Sequence, residues 1–173
     1  MDQYFENLKE PIEHYFHILS EEIPDFLKNY VNTPAMQRLG GIGRSCGTFY
    51  SKMYQQDWYS TLEHSVGVAL IIWHFTGDKR QTLAGLFHDI STPVFQHTVD
   101  FMNGDYESQE STEGLTTKMI TESKEIMCLL KEDGIKVEEI DNYHQYPIAD
   151  NERPKLASDR LEYTFSDGFD GRI

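Results

Sequence analysis

The sequence predicts an all-α fold, a single-domain helical bundle with at most a short hairpin. Three observations carry this expectation. Apolar residues recur at helical spacing in three segments, no stretch alternates for the length of a strand, and no repeat, low-complexity tract or linker divides the 173 residues. Leu, Ile, Val and Phe make up about a quarter of the chain, above the rough 20 % floor below which a highly charged chain stays disordered. One domain over residues 1–173 of this size buries a real core.

Residues 2–30 supply one or two helices, interrupted by Pro11 and Pro24 because a proline inside a helix removes a backbone donor. Pro34 suits the first turn of another. Phe49 to Tyr54 is the stretch that reads as a short hairpin arm. From Leu62 onward, Val66, Ala69, Leu70 and Trp73 follow at four, seven, eight and eleven residues, which is one face of an amphipathic helix. Leu83, Leu86 and Phe87 are in helical phase over residues 79–89, and Pro93 marks that this helix has stopped. The polar, glycine-containing stretch 103–113 reads as a loop over or beside a site. Residues 112–131 form one more helix, with Leu115, Met119, Ile126, Met127 and Leu130 on one side and Gly134 as its stop. The last helix runs from about Lys155 to Phe165, after Pro154.

The net charge of −14 argues against a broad electrostatic grip on nucleic acid or on an anionic membrane. The acid excess is uneven. Residues 1–30 carry seven acids and two bases and residues 101–173 carry seventeen and eight, whereas residues 31–100 carry five of each. That neutral middle holds His64, His74, His88 and His97, four of the seven histidines. The two cysteines, Cys46 and Cys128, are too few for a disulfide scaffold and fit a reducing cytoplasm; no signal peptide opens the sequence, and the longest apolar run, 68–73, is far short of the ~20 residues of a membrane span.

The chemistry concentrates in three places: His64 in TLEHSVGV, the adjacent His88 and Asp89 in AGLFHDIS, and Asp159 in ASDRLEYT. Each lies on or at the end of an expected helix, so packing the apolar faces brings two imidazoles and two carboxylates to one point inside a bundle. Such a mixed nitrogen and oxygen set suits a borderline divalent ion with positions left for water and substrate. Any one of these residues alone is more often a buried histidine or a helix cap than a ligand. An acid at a helix C-terminus, however, opposes the helix dipole and calls for a compensating cation.

In their order, TPAMQRLGGIG, the EHSVGV around His64, FHDISTPVFQHTVD around His88 and SDRLEYT around Asp159 resemble the HD-domain metal-dependent phosphohydrolases. Within that superfamily they are most similar to the deoxynucleoside triphosphate triphosphohydrolase branch. The likeness covers residues of about 31–165. It implies an HD-type bundle in which His64, His88, Asp89 and Asp159 hold a divalent ion (manganese, magnesium, iron, nickel, cobalt or zinc). It also implies catalytic roles for Asp89, His97 and Glu110, and substrate contacts from Arg160 and Tyr163. Arg38, Arg44 and Lys52 are the other bases expected to meet a phosphate group. The expected partner is a small phosphorylated substrate, a nucleotide by preference; a homo-oligomer stays open.

The chain also departs from that branch. Thr61 stands where an Arg precedes the first ligand by three residues, Thr92 where a second His follows the HD pair, Arg44 where a sugar-contacting Gln is expected, and Gln109 before Glu110 where a His is expected. Two functional expectations follow. The first is hydrolysis of a phosphate ester or anhydride by a metal-activated water; the second is a catalytically idle HD module that binds metal or nucleotide as a sensor or interaction domain.

Other patterns read as structural. Gly40, Gly41, Gly43 and Gly47 match neither the P-loop nor the dinucleotide fingerprint, and no nucleophile elbow or CxxC surrounds either cysteine. Phe49, Tyr50, Tyr54, Trp58 and Tyr59 read as packing ahead of a core helix rather than as a stacking platform. His14 and His17 share a helix face as surface decoration, and His74 and His144 carry no partner pattern.

Overall fold

In a computed structural model, which describes residues 4–44, 59–95, 99, 102, 104, 115–152 and 154–169, the protein is all-α. The α-helices with described bounds are α1 (Ile12–Leu19), α2 (Asp25–Val31), α3 (Pro34–Gln37), α4 (Thr61–Thr76), α5 (Lys79–Phe87), α6 (Thr116–Glu122), α7 (Lys124–Asp133) and α8 (Ser158–Phe169). Among the described residues there is no strand, only an isolated antiparallel bridge between Gly43 and Ser60. The expected hairpin arm at 49–54 and nearly all of the expected 103–113 loop lie outside the described residues.

Helix α4 is the axle of the molecule. Ser60 and Glu63 form a reciprocal capping box at its start: the Glu63 N–H donates to the Ser60 hydroxyl at 3.3 Å, and the Ser60 N–H donates to the Glu63 carboxylate at 2.5 Å. Gly77, at φ 57, ends it in the left-handed conformation that glycine adopts without strain. The sequence pattern predicts one buried face for this helix. Instead every residue from His64 to Ile72 is buried, because α1, α5 and α8 all pack against it. A helix enclosed on all sides has no polar stripe to show.

Asp78 follows Gly77 and accepts from the N–H groups of Arg80 and Gln81, which starts α5 immediately. The two helices can lie close because Gly85 has no side chain: a Cβ there would come within 2.3 Å of Ile72 Cδ1. The helical bonding of α5 ends at Phe87, so His88 is its C-cap and Asp89 and Ile90 belong to the turn beyond. Arg38 braces that turn, donating to the carbonyl oxygens of Ile90 and Thr92.

Pro11 and Pro24 do bound separate helices, and Pro34 opens one, though α3 is a single turn. The single helix expected over 112–131 is two in the described residues, broken at Ser123. The Ser123 hydroxyl accepts from the Ile126 N–H at 3.3 Å, so it starts α7 instead of continuing α6. Gly134 ends α7 at φ 64, as expected. The last helix begins at Ser158, three residues later than expected. Its start is pinned by the Ser158 N–H and hydroxyl, which both donate to the carbonyl oxygen of Ile148.

The core runs from Phe16, Leu27 and Tyr30 through Met36 and Leu39 to Val66, Leu70, Leu83 and Phe87, all essentially inaccessible to solvent. The described acids of the first thirty residues face outward: Glu6, Glu10, Glu13, Glu21, Glu22 and Asp25 are exposed. No helix among the described residues is long and apolar enough to cross a membrane.

Candidate metal centre

His64 projects from the first turns of α4 and is fully buried. His88 sits at the end of α5, and Asp159 in the first turn of α8. Packing α5 and α8 onto α4 therefore brings these residues together. His64 Nε2 lies 3.2 Å from His88 Nε2 and 3.1 Å from Asp159 Oδ1, and His88 Nε2 lies 3.7 Å from the same Asp159 oxygen. Asp89 Oδ2 is 3.5 Å from His88 Nε2 and 3.8 Å from His64 Nε2. His64, His88 and Asp89 each offer a ligand atom within 4.8 Å of the others. The imidazoles form the closed floor of the cluster. The Asp89 and Asp159 side chains, 28 % and 26 % exposed, form its open side.

The other nitrogen of each imidazole is already engaged. His88 Nδ1 donates to the Gly85 carbonyl oxygen at 2.7 Å, and His64 Nδ1 donates to Glu162 Oε2. These bonds commit Nδ1 of each ring, so that in the neutral imidazoles both Nε2 lone pairs point into the cluster. Two lone pairs facing each other repel unless a cation lies between them, and imidazoles held this way by a carbonyl and a carboxylate are the usual companions of a bound metal. The donor set present therefore fits a divalent ion.

Glu162, the residue that holds His64, was not singled out by the sequence. It is wholly buried and accepts from Tyr59 at 2.5 Å and from Tyr15 at 2.9 Å, besides His64. Room for it comes from Gly67, one turn after His64 on α4, where a Cβ would lie 2.9 Å from Glu162 Cγ. The available signals were its spacing, three residues after Asp159 on the same helix face, and a glycine three residues after His64 in a core helix. Tyr59, read from the sequence as packing, is a donor in this shell. Tyr143 was also missed; its ring meets that of His88 edge-on at 5.5 Å.

The local electrostatics oppose simple burial. Burial pushes Asp159 up, but the hydrogen bond and charge of His64, with His88 and Arg44, hold it below the ordinary carboxylate range. Glu162 is likewise raised by burial and lowered more strongly by its His64 and tyrosine donors. Burial raises Asp89 too, but the charges of His88, Arg44 and His64 lower it on balance. Burial and Arg44 disfavour the imidazolium form of His64, but Glu162 and Asp159 outweigh them and raise it.

The expected substrate contacts divide into three groups. Arg44 is at the cluster, with Nη1 3.3 Å from Asp89 Oδ2 and its guanidinium 3.7 Å above the Tyr163 ring. Tyr163 itself packs on the His64 ring at 4.9 Å. Arg38 and Arg160 are at work elsewhere. Arg38 braces the turn after His88, and Arg160 donates to Asp150, to the Asn151 side chain and carbonyl, and to the Lys155 carbonyl, so its fork ties down the approach to α8. Lys52, His97, Gln109 and Glu110 lie outside the described residues. Thr61 donates its hydroxyl to the Ile42 carbonyl oxygen, and Thr92 donates to Asp89 Oδ1 at 3.1 Å. His144, which has no partner pattern in the sequence, pairs with Asp150 at 2.7 Å.

Comparison with known proteins gives two informative likenesses. The chain is 30% identical over 147 residues to the uncharacterized protein YdhJ of Bacillus subtilis, a match covering 84% of this chain and 44% of that protein. It is 24% identical over 146 residues to the metal-dependent phosphohydrolase cns2 of Cordyceps militaris, covering 82% of this chain and 40% of that protein. The matches thus span less than half the length of either relative. No protein-family model matches the chain, and no solved structure does.

Proposed function

We propose that this chain is a metal-dependent phosphohydrolase of the HD type that cleaves a phosphate ester or anhydride, by preference of a nucleotide. The observation that carries the reading is the pair of Nε2 atoms 3.2 Å apart, both Nδ1 atoms engaged, with two carboxylates beside them. The name of the Cordyceps militaris relative agrees with it.

His64, His88, Asp89 and Asp159 would hold the divalent ion. When bound, such an ion lowers the pKa of a coordinated water and polarises a phosphoryl oxygen, supplying a nucleophile at neutral pH. The chain's own residues do the rest. Glu162 and the Gly85 carbonyl keep the imidazoles in one tautomer and one orientation. Thr92 holds one Asp89 oxygen so that the other faces the cluster. The buried His64 side closes the floor, so substrate and water enter past Asp89 and Asp159, where Arg44 supplies positive charge. Hydrolysis then forms a bond from the water oxygen to phosphorus, breaks the bond to the leaving oxygen, and places a proton on that oxygen; His97 is the expected donor.

The decisive screen offers nucleoside mono-, di- and triphosphates and generic phosphoesters with Mn²⁺, Mg²⁺, Ni²⁺ or Co²⁺. Turnover that disappears in Asp159→Ala is the expected result. The second reading, a binding module without turnover, is favoured by the uncharged, internally bonded Thr61 and Thr92. Tight nucleotide binding with no turnover under any of these metals would establish it instead.

A further inference from the structure

Asp89 Oδ2 has two claims on it. It is the Asp89 oxygen that faces the two Nε2 atoms, at 3.5 and 3.8 Å, and it is also the partner of Arg44 Nη1 at 3.3 Å. A divalent ion held between the imidazoles and Asp89 competes for that oxygen with the guanidinium, because two cations drawn to one cluster-facing oxygen repel each other.

Losing Asp89 would not release Arg44 from the site. Its guanidinium is stacked 3.7 Å above the Tyr163 ring, its own backbone N–H donates to the Tyr59 carbonyl oxygen at 2.9 Å, and the Gly43–Ser60 bridge fixes the chain beside it. Its Nη2 is buried and has no hydrogen-bond partner among the described residues. Arg44 therefore presents one orphaned nitrogen and one on an exchangeable contact, a planar pair of donors suited to two oxygens of a phosphoryl group.

We infer that Arg44 is an exchangeable counter-ion: it pairs with Asp89 until a divalent cation takes that oxygen, and its fork, held by Tyr163, then binds the phosphoryl oxygens of a phosphomonoester. This rests on the divalent-ion reading of the centre. It makes two consequences of removing Arg44 point in opposite directions. The cation loses a competitor and binds as tightly or more tightly, while the anion loses its donors and binds more weakly. A bridge that merely holds Asp89 in place predicts that cation binding weakens instead.

The test is calorimetric titration of the full chain with Mn²⁺, and then with methylphosphonate, a non-hydrolysable phosphomonoester mimic, with and without Mn²⁺. The expected wild-type result is Mn²⁺ binding and tighter methylphosphonate binding in its presence. In Arg44→Gln, methylphosphonate affinity falls about tenfold or more, the usual worth of a charged hydrogen bond, while Mn²⁺ affinity is unchanged or higher. Tyr163→Leu alters only a partly exposed ring and lowers methylphosphonate affinity with Mn²⁺ affinity retained, so the inference stays testable if Arg44→Gln folds poorly. Unchanged methylphosphonate affinity in both variants, or Mn²⁺ affinity falling in step with it, overturns the inference while leaving the metal reading standing. Absence of Mn²⁺ binding by the wild type overturns both.

Discussion

Glu162 shows how much of the centre depends on a residue that touches no ligand. Its carboxylate is buried among Tyr15, Tyr59 and His64, three donors whose combined pull outweighs the cost of burying the charge. Glu162→Gln keeps the shape and removes the charge that fixes the His64 tautomer. Its expected effect is a loss of ~10- to 100-fold in metal affinity by calorimetry, with the helical circular-dichroism signal retained. Gly67→Ala attacks the same group from α4 and is expected to cost about 1–3 kcal/mol in urea denaturation, since the buried Glu162 stem must move. The sequence makes His64, His88, Asp89 and Asp159 legible because their order and helical setting are unusual together. Glu162 is not legible in that way: it lies in an acid-rich stretch where a carboxylate reads as a solvated surface group. Arg38 and Arg160 show the converse limit, because charge in the sequence does not reveal that a guanidinium's donors go to backbone carbonyls.

Among the helices, the site is set by how closely α4 and α5 approach. Gly85 does two things at once: it admits Ile72, and its carbonyl orients His88. Gly85→Ala is expected to destabilise by about 1–3 kcal/mol through overpacking and to weaken metal binding through the shifted carbonyl, measured by urea denaturation and calorimetry. A second tie joins α2, α5 and α7, where Asp133 accepts from Tyr30 at 2.6 Å and pairs with Lys79 at 2.5 Å. Burial raises Asp133, but Lys79 and Tyr30 lower it on balance below the ordinary carboxylate value. A carboxylate depressed in the folded state stabilises above its unfolded pKa of about 4 and loses that contribution as pH falls through the lower folded value. The difference in urea midpoint between wild type and Asp133→Asn should therefore be present at pH 7 and shrink below pH 4. It should be small, because the pair is partly solvated. The existence and type of these helices were legible from apolar spacing. The enclosure of α4 and the break at Ser123 were not, since the first depends on which neighbours surround a helix and the second on a local hydroxyl bond that competes with continuation.

Taken as one body, the molecule segregates its charge of −14. The described acids of the first thirty residues are exposed, while the centre is built from the charge-balanced middle of the chain and a single helix, α8, from the acidic end. Uneven charge was visible in the sequence, but the burial of Glu162 against that trend was not. A centre joining α4, α5 and α8 also means that an ion binding the folded state alone stabilises the whole domain. At 100 times its Kd the gain is about 2.7 kcal/mol, or roughly 5–10 °C in Tm for a chain of this size, reversed by EDTA.

Metal content tests the central claim most directly. After loading with Mn²⁺ and removal of free ion, the wild type should retain one ion per chain, and folded His88→Ala and Asp159→Ala should retain almost none. Equal occupancy in the wild type and both variants would place the ion elsewhere and contradict the account.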